Sequence, residues 1–318
     1  MPPDRQRLLL LVPPAETGNY RELLQAAALP GLELVLPADV DEARRRAPEC
    51  TLLLGVPARV AEVLDAATRL RWVQSTYAGV EALCRPGLRR DYLLTGIKGV
   101  FGPLVREYVF GWILALERQL FATRANQRRG RWEPLPYRGL GGQRLGVAGL
   151  GSLGRAVVDS ANHFGMRVRG FRSSPGECPG VERVYAGGEW PQFLAGLDYL
   201  VLALPHTAAT TGLVDAAALA CLPRGAVLVN VGRGSAVVEQ ELAAALASGA
   251  LRAAVLDVFA TEPLPAESPL WRLENAYLTP HNAALSFPGA IVGVFADNYR
   301  RFVAGQPLQH AVDFERGY

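Results

Sequence analysis

The segment GVAGLGSLGRAVV, Gly146 to Val158, constrains the fold more than any other stretch of the chain. An apolar strand pattern runs into Gly149, Gly151 and Gly154, spaced G-x-G-x-x-G, and a helical pattern begins inside the same motif. Each glycine has its own physical reason. The first permits a tight turn, the second lets a pyrophosphate approach the backbone, and the third allows close helix–strand packing. The first amides of the helix lack partners of their own and so form an anion site. Ser152 adds a hydroxyl there and Leu153 an amide. The motif predicts a dinucleotide-binding turn at the tip of a parallel strand.

The following strand pattern, MRVRGF, leads into Arg172, Ser173 and Ser174, with Arg172 standing 23 residues past Gly149. In such folds an acid about 20 residues on binds the ribose 2′-hydroxyl. A carboxylate would repel a 2′-phosphate, whereas a guanidinium binds one through paired, charge-assisted hydrogen bonds. Arg172 therefore favours NADP(H), with Ser173 and Ser174 as further donors. NAD(H) is the alternative, in which Arg172 belongs to a solvated loop of an arginine-rich chain.

Strand and helix patterns alternate from end to end, as in doubly wound parallel sheets. RLLLLV, LELVLP, CTLLLGV, RWVQST and LLTGIKG make a first series of strands. LGVAGL, RVRGF, DYLVLALP, AVLVNV, AAVLDVF and AYLTP make a second series of six. Between them GPLVREYVFGWILALERQLFATRANQ reads as one long helix. Its apolar face (Val105, Val109, Trp112, Ile113, Leu116, Leu120) is wide enough to be buried between domains or subunits. The last helix, PGAIVGVFADNYRRFVAG, brings the chain back to the first domain. Two domains with a cleft between them are expected, one from 1–99 with 286–318 and one from 100–285.

Composition narrows the partners. A formal net charge of +3, from 33 basic and 30 acidic residues spread along the chain, argues against nucleic acid. Cys50, Cys84, Cys178 and Cys221 are too scattered for a zinc site or a disulfide framework, which fits a reducing cytoplasm. The run RLLLLVPP is too short to span a bilayer and reads as a first strand, so no membrane association is expected.

Three further segments follow strand patterns, where α/β sheets build their sites. LVNVGRGSAV carries Arg233, LDVFATEPLP carries Asp257 and Glu262, and LTPHNAALS carries His281. An arginine fixes a carboxylate; a histidine exchanges a proton near neutral pH; a neighbouring glutamate holds its tautomer. Singly each has an ordinary structural explanation, but the order and placement of all three point to one site.

GLGSLG, VNVGRGS, LDVFATEPLP and TPHNAA, in that order, resemble the D-isomer-specific 2-hydroxyacid dehydrogenases, and LRWVQSTYAGVEAL resembles that family's substrate loop. Similarity is greatest to the glyoxylate/hydroxypyruvate reductase branch. The resemblance implies an α/β fold of two doubly wound parallel-sheet domains, a Rossmann cofactor domain inserted in a flavodoxin-like substrate domain. It implies His281 as acid/base, Glu262 as its hydrogen-bond partner raising the imidazole pKa, and Arg233 on the substrate carboxylate. Ala78 and Gly79 would offer backbone N–H groups to the same carboxylate. Pro205, His206, Thr211, Val231 and Gly232 would line the cofactor, with Asp257 near the nicotinamide carboxamide. A homodimer through the helix starting near residue 102 is also implied.

The expected reaction is NADPH-dependent reduction of a small 2-oxo acid to a D-2-hydroxy acid. The alternatives are an NAD-dependent dehydrogenase of a bulkier acid and a non-catalytic nucleotide sensor. His163 and His310 are expected to be structural, and Trp112 and Phe110 to pack on a neighbouring domain or subunit. Lys98, Tyr77, Phe101 and Trp132 are candidates to approach the substrate.

Overall fold

The structure is a computed structural model and describes residues 5–315. The chain divides into two units, one running to Val100 and resuming at Ser286, the other spanning Phe101–Leu285.

The first unit alternates β1 (Gln6–Leu11), α1 (Pro14–Ala26), β2 (Leu32–Val35), α2 (Val40–Arg46), β3 (Leu52–Gly55), α3 (Pro57–Val63), β4 (Trp72–Ser75) and β5 (Leu93–Thr95). All neighbours pair in parallel, in the order β2-β1-β3-β4-β5, which is the flavodoxin-like winding. Leu8, Leu9, Leu52, Leu53 and Leu54 are fully buried, as strands covered on both faces require.

In the second unit the long helical pattern is two helices, α4 (Gly102–Glu117) and α5 (Leu120–Arg128). Gln119, with φ of 53°, breaks it. The break folds Phe121 back onto Trp112 and Tyr277, with ring centroids 5.9 and 5.1 Å apart. A hydrophobic periodicity continues across such a bend, which is why one helix was expected. The apolar face of α4 is also placed differently from expectation. Val105, Val109, Phe110 and Ile113 are buried in the core of their own unit, and Phe110 stacks on Phe164 at 5.1 Å. Trp112 likewise packs inside the unit, 5.2 Å from Tyr277.

The sheet follows: β6 (Arg144–Ala148), α6 (Ser152–His163), β7 (Arg167–Arg172), β8 (Arg183–Ala186), α7 (Trp190–Leu194), β9 (Tyr199–Leu202), α8 (Ala216–Cys221), β10 (Ala226–Asn230), α9 (Glu239–Ala247), β11 (Leu251–Leu256) and β12 (Ala276–Leu278). It has seven parallel strands in the order β12-β11-β10-β9-β6-β7-β8, not six. The additional strand, RVYA, is a short edge strand with one buried residue, so neither apolar run nor alternation marks it. Alternate residues feed opposite faces. Leu200, Leu202 and Leu228 belong to one core, and Val201, Val227 and Val229 to the other. The order reverses between β6 and β9, the switch point where such sheets bind ligands at their carboxyl ends.

The last helix, α10 (Pro288–Val303), returns to the first unit, where Phe295 stacks on Trp72 at 5.2 Å. Among the described residues no helix is long and apolar enough to cross a membrane.

Candidate active site

The glycine turn follows β6 and leads into α6. Gly149 has φ of 95°, and a Cβ there would lie 2.4 Å from the Ala203 carbonyl oxygen. A Cβ on Gly154 would lie 1.8 Å from the Gly149 oxygen. Protein packing alone therefore demands these two glycines. Gly151 differs: no protein atom lies within 4 Å of a Cβ placed on it. What its bare backbone leaves is room, at the exposed start of a twelve-residue helix carrying Ser152 and Leu153. These residues suit a pyrophosphate, with free N–H groups and no side chain in the way.

Gly149 N–H donates to the Phe171 carbonyl at 2.9 Å, which holds the turn beside the tip of β7. Arg172 is the last residue of that strand, and Ser173 and Ser174 follow in the open. Its guanidinium folds onto its own loop, Nε donating to Ser174 O at 2.8 Å and Nη2 to Pro175 O at 3.1 Å. The fork formed with the second terminal nitrogen remains for an anion.

After β9, Pro205 and His206 are exposed. Thr210 Oγ1 donates to Pro205 O at 2.6 Å, and the Thr211 hydroxyl donates to Thr207 O at 2.8 Å, so this turn is closed by its own side chains. His206 Nδ1 is 2.7 Å from Ser235 Oγ, a link to the loop after β10. In that loop Val231 and Gly232 are buried, and a Cβ on Gly232 would lie 2.6 Å from Leu204 N. Arg233 follows, with Nη1 donating to Gly232 O at 2.9 Å. Gly234 then presses its backbone against the next loop: a Cβ on it would lie 1.9 Å from Phe259 C.

Two carboxylates organise the rest. Asp257, 2% exposed, accepts from Thr279 Oγ1 at 2.6 Å, Asn282 N–H at 2.9 Å and Ala283 N–H at 3.0 Å. Its carboxylate thus anchors the loop that carries His281, and Tyr108 OH braces Thr279 from α4 at 2.6 Å. Burial pushes the Tyr108 hydroxyl up to about 12, so it stays neutral. Glu262 binds His281 Nδ1 through Oε2 at 2.8 Å and the Phe259 N–H through Oε1 at 3.0 Å. Glu239 supports this turn by accepting from Ala260 N–H at 2.7 Å. His281 itself has φ of 51°, with its backbone N–H held by Asp257 O at 2.9 Å.

Arg233, Glu262, His281, Asp257 and the cofactor positions all lie at or beyond the carboxyl ends of strands of one parallel sheet, in the Phe101–Leu285 unit. Ala78 and Gly79 belong to the other unit, in the loop after β4, where Ser75 Oγ accepts from Tyr77 N–H at 2.9 Å. His163 closes α6 and stacks edge-on against Phe164. His310 and Lys98 both belong to the first unit, where burial and then the Lys98 charge lower the His310 pKa. Sequence reasoning missed Asn230, Glu239 and Thr279. Asn230 alone carried a visible signal, as a polar residue ending an apolar strand.

Comparison with known proteins decides the assignment. The family model for the D-isomer-specific 2-hydroxyacid dehydrogenase, NAD-binding domain, matches residues 110–283. The chain belongs to the D-isomer-specific 2-hydroxyacid dehydrogenases. It is 35% identical over 268 residues to the glyoxylate/hydroxypyruvate reductase A of Serratia proteamaculans, covering 81% of this chain and 84% of that one. A family member of known structure from Aeromonas salmonicida superposes with a TM-score of 0.93 at 43% identity, over 98% of this chain and all of the other. The NADPH-dependent glyoxylate/hydroxypyruvate reductase of Sinorhizobium meliloti, solved with NADP and sulfate, gives a TM-score of 0.89 at 30% identity, over 99% and 100%. As a member of this family the chain is an NAD(P)-dependent oxidoreductase of 2-hydroxy acids.

Proposed function

We propose that the enzyme uses NADPH to reduce a small 2-oxo acid, glyoxylate or hydroxypyruvate first, to the D-2-hydroxy acid. The observation that carries this reading is the Glu262–His281 pair, held at 2.8 Å in the unit that also bears the glycine turn and Arg233. When bound, the nicotinamide supplies the hydride to the carbonyl carbon. His281 delivers a proton from Nε2 to the carbonyl oxygen as charge builds there, because Nδ1 is committed to Glu262. Glu262 fixes the tautomer and the ring orientation. Arg233 binds the substrate carboxylate and polarises the ketone, and Ala78 and Gly79 donate backbone N–H groups to that carboxylate.

The Phe101–Leu285 unit serves as the cofactor domain and the other unit as the substrate domain. Gly149, Gly151, Ser152, Leu153 and Gly154 hold the pyrophosphate, with Pro205, His206, Thr211, Val231 and Gly232 along the rest of the cofactor. Asp257 Oδ1 accepts three donors from the loop that carries His281, while Oδ2 shares the Ala283 N–H alone among them, so Oδ2 is the oxygen that serves the carboxamide. Arg172, Ser173 and Ser174 select the 2′-phosphate.

A second copy of the chain covers the apolar residues after α4, since Leu120 and Phe121 are half exposed and Trp132 is 99% exposed. The homodimer thus uses the segment after the helix rather than its buried face, and sedimentation at two concentrations tests it. The four free cysteines are consistent with a cytoplasmic protein.

Hydroxypyruvate tests the chemistry, because its product is chiral. Chromatography on a chiral phase should show D-glycerate; L-glycerate, or no product with either cofactor, would overturn the reading.

A further inference from the structure

We infer that Asn230 is a positioning residue for Arg233, holding the arginine's backbone in place through a two-point side-chain clamp; this rests on the carboxylate role given to Arg233 above. Asn230 is the last residue of β10 and is completely buried. Beyond it the chain leaves the regular ladder, so the buried N–H and C=O groups of the next residues need other partners. The side chain of Asn230 supplies them. Its Oδ1 accepts from Gly232 N–H at 3.1 Å, and its Nδ2 donates to Arg233 O at 3.1 Å.

The job calls for one acceptor and one donor on a short planar group, which is an amide. A carboxylate of the same shape keeps the acceptor for Gly232 but sets a second oxygen against the Arg233 carbonyl. Arg233 O also accepts from Ala236 N–H at 3.2 Å, a contact that closes the local turn without tying it to the sheet. The Asn230 side chain makes that tie. On either side the loop is pinched by backbone contacts, Gly232 against Leu204 and Gly234 against Phe259. The Cα of Arg233 is thereby fixed between two glycines and the strand end.

The main chain of Asn230, separately from the clamp, is joined to the strand end before the acid/base loop. Asn230 O accepts from Asp257 N–H at 3.1 Å, and Asp257 O in turn accepts from His281 N–H at 2.9 Å. Adjacent strand ends thus carry two buried polar side chains, Asn230 and Asp257, and each grips the backbone of a loop that presents a functional residue. Asn230 is completely buried and its side chain grips backbone only, so its effect on the substrate carboxylate should pass through Arg233.

A double-mutant cycle reads this directly. Asn230→Asp should lower kcat/KM for glyoxylate by about 10²-fold, the scale for a displaced positioning group, with KM raised as well as kcat lowered. In an Arg233→Ala background the same change should cost less than about threefold, because the residue it positions is gone. Thermal melts identify variants that do not fold, and Asn230→Ala, which introduces no charge, carries the same comparison if the aspartate variant fails. Losses that multiply in the double mutant would overturn the inference while leaving the role of Arg233 standing. An Arg233→Ala enzyme with unchanged kcat/KM would overturn that role and the inference with it.

Discussion

Glu262 Oε2 lies 2.8 Å from His281 Nδ1, while the other oxygen of the same carboxylate accepts the Phe259 N–H at 3.0 Å. The carboxylate is fixed by backbone on one side and fixes the imidazole on the other. The imidazole is therefore held in one orientation, although His281 and Glu262 are both more than a third exposed.

Replacing His281 by Ala should lower kcat by about 10²–10⁴-fold, the usual worth of general acid–base catalysis, with NADPH affinity little changed. Glu262→Gln keeps the shape but weakens a charge-assisted bond, so about a tenfold loss is expected. Steady-state kinetics with cofactor titration by fluorescence checks both. Full turnover by His281→Ala would remove the acid/base assignment.

The cofactor preference is placed on Arg172. Arg172→Asp removes a guanidinium and adds a charge that repels a 2′-phosphate, so the NADPH/NADH ratio of kcat/KM should fall about a hundredfold. Because Arg172 also ties Ser174 and Pro175 to the strand tip, Arg172→Ala should lose part of the NADPH preference without gaining NADH use. A ratio that stays the same in Arg172→Asp would make the residue a loop brace only.

Two glycines separate packing from ligand binding. At Gly234 a Cβ would lie 1.9 Å from Phe259 C, so Gly234→Ala must displace the Arg233 or the Glu262 loop. About 1–3 kcal/mol of stability should be lost, with activity falling further. At Gly151, with φ of −73° and open space, Gly151→Ala should melt like the parent yet bind NADPH at least about tenfold more weakly. Calorimetry and cofactor titration on the pair would expose an error in either assignment.

Far from the glycine turn, at the opposite ends of the strands, buried Glu117 accepts from Arg252 Nη2, Arg138 Nη2 and Tyr199 OH. Burial pushes its carboxyl up, but the hydrogen bonds from Arg252, Tyr199 and Arg138 together with the Arg252 charge outweigh this and hold it below the usual glutamate value. A carboxyl held below its unfolded pKa adds stability at neutral pH, and that stability is lost as pH falls through the folded value. Glu117→Gln should cost about 2–3 kcal/mol at pH 7, with the gap from the parent closing in acid. Urea titrations across pH 3–7 check this; a gap that does not depend on pH would contradict it.

The glycine turn, the strand alternation and the residues Arg233, Glu262 and His281 were legible because each is a local pattern: a spacing, an apolar run, a polar residue after a strand. What escaped depends on contacts distant in sequence. The break at Gln119 keeps the hydrophobic period while changing direction, and the strand Arg183–Ala186 has too little buried surface to show one. Thr279 and Glu239 act through hydrogen bonds to residues about 20 positions away, which no window of sequence reveals. Arg172 could be read as a cation at a strand tip, but not as one folded onto its own loop.

The central claim is tested most directly by initial rates of NADPH oxidation and, separately, NADH oxidation by the purified protein, each with glyoxylate and with hydroxypyruvate. The account predicts turnover with one or both acids and a preference for NADPH of about tenfold or more. Equal or faster rates with NADH would contradict the cofactor assignment, and no turnover with either cofactor would contradict the reductase reading itself.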